Sequence, residues 1–355
     1  MNFTVLAPEL SHRTRSNLGL LGEVKCLGQL PDGRRVAIDA ARRFSEASTA
    51  IYPGYLIPVG AEAEPMIPEG VIVKFSPYRY RDDNLRREIG ILTALQKVPG
   101  IPRVIHQGEQ EALSERGFLF GVLTEHRNAP YFVMNCLSGE RLSAFALAPW
   151  GAAPPRRESV AYLAGTIFPA LAERLAAVHE EKVVHKDIKP NNGLFDPQAK
   201  LVNLLDFERA NWLNARLREE SGAMLFSPPE IQISPPETED VRFDTYSFGV
   251  TCFILLTGEQ ILLYSNVTNP AKKPDEPFAR EAAFGEYHQD LYEMRHWTPE
   301  RLVQESNLPP ALKETPLGKY LIQLAHPDLE QRPLNMLEIA QNLRRLSGEL
   351  GGAGE

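Results

Sequence analysis

The chain has 355 residues, 43% of them hydrophobic and 24% charged, a composition ordinary for a folded protein large enough for one big domain or two lobes. Its formal charge of -8 argues against nucleic acid or an anionic membrane as a partner, though a local basic pocket for phosphate stays compatible with it. Cys26, Cys136 and Cys252 lie far apart with no CxxC pair, the N-terminus lacks the apolar core of a signal peptide, and the apolar run at 248–256 is too short to span a bilayer, so the sequence reads as a cytoplasmic protein with reduced thiols.

In chain order, GEVKCLGQLPDGRRVAI (22–38) predicts a hairpin turning at Pro31-Asp32-Gly33. DAARRFSEAST follows as a helical or irregular piece. VIVKF (71–75) is a short buried-strand pattern after the turn signal Pro68-Glu69-Gly70. NLRREIGILTALQ (84–96) puts Leu85, Ile89, Leu92 and Leu95 on one helical face, and PYFVMNCL (130–137) is another strand. Beyond Gly139 the texture turns helical. TIFPALAERLAAVHEEK (166–182) is amphipathic, with Leu171, Leu175 and Val178 on one side. Two short strands, LFD (194–196) and LVNLLDF (201–207), precede a Pro-rich loop and the helix FDTYSFGVTCFILLTG, closed by Gly258. KYLIQLAH and NMLEIAQNLRRL give two last helices, and GELGGAGE reads as a disordered end.

The sharpest chemical signal is VVHKDIKPNN (183–192). It packs an acid, a base and an amide into a loop stiffened by Pro190. Asp187 can accept a hydroxyl proton, Lys189 can neutralise a phosphoryl oxygen, and Asn192 can hold a divalent ion. Phosphoryl transfer asks for those elements, because its catalysis is mostly positioning and charge neutralisation.

On these residues the chain resembles the eukaryotic-type protein kinase superfamily, in a divergent form whose Ala- and Arg-rich helices hint at a bacterial source. His185, Asp187, Lys189, Pro190 and Asn192 fit its H-R-D-x-K-P-x-N loop, and Asp206-Phe207 sits where the family carries the metal-binding D-F-G. Pro229-Glu230 resembles the end of A-P-E. DTYSFG (244–249) resembles D-x-x-S-x-G, with Asp244 expected to cap the catalytic loop, and Arg332 is the expected partner of Glu230. The resemblance implies an α+β, bilobal kinase-like fold: a β-rich N-lobe over 1–137 with an extended N-terminal region, a helical C-lobe over 138–348, and a flexible tail at 349–355. It implies ATP with Mg2+ or Mn2+, Asp187 and Lys189 as catalytic residues, Asn192 and Asp206 as metal ligands, and a protein substrate.

Lys74 of VIVKF resembles the strand lysine that contacts the α- and β-phosphates, and Glu88 its helix partner. Met134 stands at the gatekeeper position, with Asn135, Cys136 and Leu137 offering backbone groups to adenine. A rival register exists: Gly19 and Gly22, before Val24, resemble a glycine-rich phosphate loop that has lost one glycine, and its spacing lands on Asp39 instead of lysine. The phosphate loop is then an insertion away from Lys74, or lies near YPGYLIPVG (52–60), or has degenerated. Lys74 is preferred because a helix bearing Glu88 follows it.

Three departures bear on function. Glu208 replaces the D-F-G glycine and would cost on the order of 1 kcal/mol if its backbone were left-handed. Lys186 replaces the arginine that receives an activation-loop phosphate, and residues 208–226 contain no Thr or Tyr and only Ser221, so activity without loop phosphorylation is expected. Ala223 stands where Ser/Thr kinases carry a threonine. The function expected is transfer of the γ-phosphate to Ser/Thr hydroxyls. The alternatives are a nucleotide-binding scaffold without activity and a kinase-fold enzyme with a non-protein substrate.

Overall fold

Alternating apolar side chains build a seven-stranded antiparallel sheet from the first part of the chain, which divides into two units: Met1–Gln96 with Pro102–Leu137, and Lys97–Ile101 with Ser138–Glu355. The structure is a computed structural model that describes residues 3–44, 49–118, 121–148, 157–218, 224–258 and 288–351. In the first unit the strands are β1 (Phe3–Val5), β2 (Val24–Gln29), β3 (Arg35–Asp39), β4 (Ala50–Ile57), β5 (Glu69–Phe75), β6 (Val104–Phe118) and β7 (Gly121–Asn135). They lie in the order β1-β6-β7-β5-β4-β3-β2. The expected hairpin at 22–38 is β2 and β3, with Val24 opposite Asp39.

On one sheet face Val73 and Phe75 of β5 pack with Tyr52, Tyr131 and Val133. Phe75 meets Tyr52 edge-on at 5.9 Å between ring centroids and Tyr131 at 5.2 Å. The period of two then sends Lys74 to the opposite face. Short helix α1 (His12–Asn17) precedes β2, and α2 (Asp82–Ala94) follows β5. The buried stripe of α2 and the turn after it is Leu85, Glu88, Ile91, Leu92 and Leu95. Ile89, expected on that stripe, is only half-buried, because the stripe is centred on Glu88. Asp82 at the start of α2 takes both carboxylate contacts from the buried Arg127 of β7, at 2.6 and 2.5 Å.

The segment YPGYLI, one of the places considered for a phosphate loop, is the interior strand β4, paired with β3 and β5. Its glycine has a packing reason: a Cβ on Gly54 would lie 2.8 Å from Val73 Cγ2 and 2.9 Å from the Ala37 carbonyl.

The second unit is helical. α3 (Arg157–Tyr162) and α4 (Phe168–Glu180) are joined by a π-helical turn, Leu163–Ile167, which accommodates Pro169 and its missing N–H. The whole run Glu158–Glu180 is long and apolar enough to cross a membrane by length and composition, and 61% of its most apolar 18 residues are buried inside the protein. The strands are β8 (Glu140–Arg141), β9 (Val183–Val184), β10 (Gly193–Asp196), β11 (Leu201–Leu204) and β12 (Asn211–Trp212). β10 pairs with β8 and β11, and β9 with β12. Then come α5 (Pro229–Ile233), α6 (Arg242–Thr257), α7 (Pro299–Glu305), α8 (Pro310–Lys313), α9 (Pro316–Leu324) and α10 (Met336–Gly351). Every residue of α6 from Phe243 to Thr257 is buried, and Gly258 ends it in the left-handed conformation, φ 67°. Residues 349–351, expected in a flexible tail, belong to α10, where Glu349 pairs with Arg345 one turn back at 2.6 Å, and the rest of that tail lies outside the described residues.

Gly54→Ala is expected to lower the unfolding free energy by about 1–3 kcal/mol through overpacking between β3 and β5. A urea midpoint unchanged from wild type would show that the sheet yields there without cost.

Candidate functional site

In the first unit Lys74 is a buried cation. Its Nζ lies 2.9 Å from Glu88 Oε1 and 2.8 Å from Oε2, and both side chains are 2% exposed. The strand supplies the lysine and α2 supplies the carboxylate one helical turn beyond Leu85. The two strands that lead to Lys74 are β3 and β4, and Ile51 at the start of β4 is the register partner of Lys74. The connection between them, 40–49, reads AARRFSEAST and holds no glycine. Its described part carries Arg42, whose Nε is 3.5 Å from the buried Asp39.

Gly19 and Gly22 are elsewhere and have other tasks. Gly19, φ 65°, ends α1: its N–H donates to the Ser16 carbonyl at 3.1 Å and that of Leu20 to Arg15 at 2.9 Å, a helix-terminating pair of bonds. Gly22, φ 92°, turns the chain into β2, and its carbonyl accepts from Arg15 Nη1 at 2.6 Å. Neither lies in the connection next to Lys74, which removes the geometric basis for reading them as a phosphate loop. At the end of β7, Met134 pairs with Ile72. Asn135 exchanges bonds with Arg103 through its side chain (2.7 Å) and backbone (3.3 Å). Cys136 is exposed.

The second unit gathers the other predicted residues. Asp187 is 4% exposed, and one of its oxygens, Oδ2, takes Lys189 Nζ at 2.6 Å and Asn192 Nδ2 at 2.8 Å. Asn192 Nδ2 also donates to the Asp187 carbonyl at 2.9 Å. Its two N–H groups thus turn to Asp187, which points the amide oxygen, the end that binds cations, the other way. The Asn192 carbonyl accepts the Leu205 N–H at 2.9 Å, so the loop is tied to the residue before Asp206. Asp206 has a left-handed backbone, φ 64°, and Phe207 is buried against His185 with ring centroids 4.5 Å apart. Glu208, the residue in question at the D-F-G position, is not among the positive-φ residues. The strain lies two residues earlier, at Asp206, and the anticipated cost at Glu208 does not arise.

An amide and a carboxylate are oxygen donors suited to a hard divalent ion that completes its shell with phosphate and water. Among the described residues no group of three or more His, Cys, Asp or Glu side chains could hold a metal ion. Beside Lys189, a recess of about 240 Å³ is lined by Ser143, Asn191, Phe226, Ile254 and Leu255. Ala223 and Ser221 lie outside the described residues.

Buried ion networks hold this loop and the segment that carries Glu230. Asp244, fully buried on α6, accepts the N–H groups of His185 and Lys186, both at 2.8 Å, and His179 Nε2 at 2.9 Å. Burial alone would push its carboxyl up, but the bond from His179, the charges of His179 and His185, and the His185 N–H together hold it below its ordinary value. Arg332 grips Glu230 with two parallel bonds of 2.6 and 2.8 Å, as the resemblance implied. A residue the sequence did not reveal is Glu239, 1% exposed, which accepts Lys186 Nζ at 2.8 Å. No local pattern signals it.

A family model for the protein kinase domain matches residues 71–333. The serine/threonine-protein kinase pkn2 of Myxococcus xanthus is 30% identical over 188 residues, covering 50% of this chain and 19% of the relative. Pkn1 of the same bacterium is 29% identical over 136 residues, covering 36% of this chain and 18% of the relative. The chain thus spans about a fifth of the length of these curated relatives. The solved structure of the Cydia pomonella granulovirus kinase PK-1 matches with a TM-score of 0.53 at 14% identity, over 84% of this chain and 90% of that one. That is a likeness of fold.

A carboxylate whose folded pKa is depressed stabilises the fold fully above its ordinary value of 3.8 and loses that contribution as pH falls through the folded value. Asp244→Asn is therefore expected to cost about 3 kcal/mol or more near pH 7, where it leaves buried donors facing an uncharged partner. The gap to wild type should narrow in urea unfolding near pH 3. A gap that stays constant across that range would assign the stabilisation to packing instead.

Proposed function

The chain belongs to the protein kinase family, and from that premise we propose that it uses ATP and Mg2+ to transfer the γ-phosphate to Ser/Thr hydroxyls of a protein. The observation that carries the reading is the hydrogen-bonded set of Asp187, Lys189 and Asn192, tied through Leu205 to Asp206. A chain that only binds partners has no need of all four.

In this reading Asp187 orients the acceptor hydroxyl and takes its proton. Oδ2 is engaged by Lys189 and Asn192, while among the described residues no bond to Oδ1 competes with the hydroxyl. Such a positioned base contributes about 10²–10⁴ in rate. Lys189, 25% exposed at its side chain, would move its ammonium from Asp187 to the transferring phosphoryl group. Asn192 and Asp206 would hold the divalent ion, whose charge neutralisation at the phosphates is the chemistry it supplies when bound. Lys74, set by Glu88, would neutralise the α- and β-phosphates. The glycine-free connection 40–49 would leave the covering of the phosphates to side chains such as Arg42 more than to backbone N–H groups. The recess beside Lys189 gives room for an acceptor side chain, and its described lining includes no carboxylate, which supports an acceptor that is not strongly basic.

The test is γ-phosphate transfer from labelled ATP with Mg2+ and with Mn2+, offering the protein itself and generic proteins as acceptors. Wild type is expected to transfer label, and Asp187→Asn to lose about 10²–10⁴ of the rate while still binding ATP. Equal rates in the two would remove Asp187 from the mechanism. ATP binding with no transfer in either metal would favour the nucleotide-binding scaffold.

A further inference from the structure

We propose that Glu239 is a positioning residue for the catalytic loop, a built-in carboxylate that keeps residues 211–218 ordered without phosphorylation. This rests on the phosphotransferase reading above for its consequence in rate, though not for its structural content.

The case starts at Lys186, the residue before Asp187. Its backbone is left-handed, φ 64°, a conformation costing a non-glycine residue about 1–2 kcal/mol. Two contacts hold it there. Asp244 accepts its N–H at 2.8 Å, and Glu239 accepts its Nζ at 2.8 Å with the lysine side chain 6% exposed and the glutamate side chain fully buried. An ammonium so buried is costly unless an anion is paired with it. Among the bonds of its Nζ, Glu239 supplies the anion and the Arg218 carbonyl, at 3.2 Å, a neutral acceptor.

Glu239 does more than balance a charge. The same oxygen accepts Asn211 Nδ2 at 2.9 Å and the Arg218 N–H at 3.3 Å. Its backbone continues the attachment. The Glu239 N–H donates to the Ala215 carbonyl at 2.9 Å, the Asn214 N–H to the Glu239 carbonyl at 3.3 Å, and the Leu217 N–H to the Glu237 carbonyl at 2.9 Å. An isolated bridge pairs Arg216 with Thr238. Residues 211–218 are thus strapped to 237–239, and β12 within them pairs with β9, the strand that leads into His185. One buried carboxylate joins the strap, the loop entry and the peptide that sets Asp187. An anion is already in place at the cation next to the catalytic residue, so none need be added.

The experiment combines kinetics and amide hydrogen exchange on the full chain, for wild type, Glu239→Gln and Glu239→Asp. Glu239→Gln keeps the size but removes the charge. Its kcat is expected to fall about 10²-fold, the scale of misplacing a catalytic group, with KM for ATP within about twofold, since ATP binding is not the step disturbed. Exchange at the amides of 211–218 should rise about tenfold or more as the strap opens. Glu239→Asp keeps the charge within reach of the flexible Lys186 and should recover most of the kcat, which a residue that merely filled space would not do. Phosphatase treatment of wild type should leave kcat unchanged. The proposal is overturned if Glu239→Gln shows wild-type exchange in 211–218, if it keeps wild-type kcat, or if phosphatase abolishes the activity. Should wild type transfer no phosphate while the exchange changes as expected, Glu239 keeps its ordering role and the phosphotransferase reading is what fails.

Discussion

The loops that carry the chemistry of the second unit hang from one helix by its buried polar side chains. α6 is apolar on every side, as a helix at the centre of a domain should be, yet it buries Asp244, Thr245, Ser247 and Thr251. Between them they hold three loops. Asp244 holds the entry to the catalytic loop, and Thr251 Oγ1 donates to the Ile188 carbonyl within that loop at 3.3 Å. Ser247 Oγ donates to the Phe226 carbonyl at 2.7 Å, and Thr245 Oγ1 to the Pro333 carbonyl at 3.1 Å. Tyr246 lies under the Arg332 guanidinium, 4.8 Å from its centre. An unsatisfied hydroxyl or carboxylate at such depth costs several kcal/mol, so loops without regular structure are held almost as firmly as the helix itself.

That firmness explains where strain can be kept. Lys186 and Asp206 both have left-handed backbones, and both flank the groups proposed to act on phosphate. Positions like these persist only where their surroundings over-determine them. Lys186 is held by two carboxylates, and Asp206 stands between Leu205, bonded to Asn192, and Phe207, packed on His185. The odd Glu208 then loses its significance. Glycine was the expected residue for a strained position, but here the strain belongs to the aspartate, and the next residue but one has no demand that a glutamate fails to meet.

What was legible in the sequence follows from how locally each feature is encoded. Asp187, Lys189 and Asn192 act within six positions of one another, and the residues that tie them together are in the same loop. The burial of α6 and its glycine stop were readable for the same reason. The first unit was harder. Pro53 and Gly54 read as a loop, yet they sit in an interior strand, where only a residue as small as Gly54 leaves room for its neighbours. Gly19 and Gly22 looked like a phosphate loop because a helix stop and a turn into a strand use the same residue for the same backbone reason. The long pairing of β6 with β7 was missed beyond its last residues, since polar positions on both strands hide the alternation. Ile89 was placed on the buried stripe of α2 by hydrophobicity alone, where the stripe is centred instead on a glutamate that meets a buried lysine. Glu239 was invisible because its partners lie 21 to 53 positions away.

The exchange of arginine for lysine before Asp187 fits the carboxylate it faces. An arginine fork engages both oxygens of a carboxylate or phosphate, whereas a lysine is a point charge. At Glu239 one oxygen collects Lys186, Asn211 and the Arg218 N–H, while the buried Oε2 has no hydrogen-bond partner among the described residues. This is the geometry a point charge produces, with one positive group set against one carboxylate. A phosphate brought to the same place would meet a cation already neutralised and a second anion beside it. At an effective dielectric near 20, two unit charges about 4 Å apart repel by about 4 kcal/mol. Control by an added phosphate at this position would therefore have to displace Glu239 from Lys186 first, and with it the bonds that strap 211–218 in place.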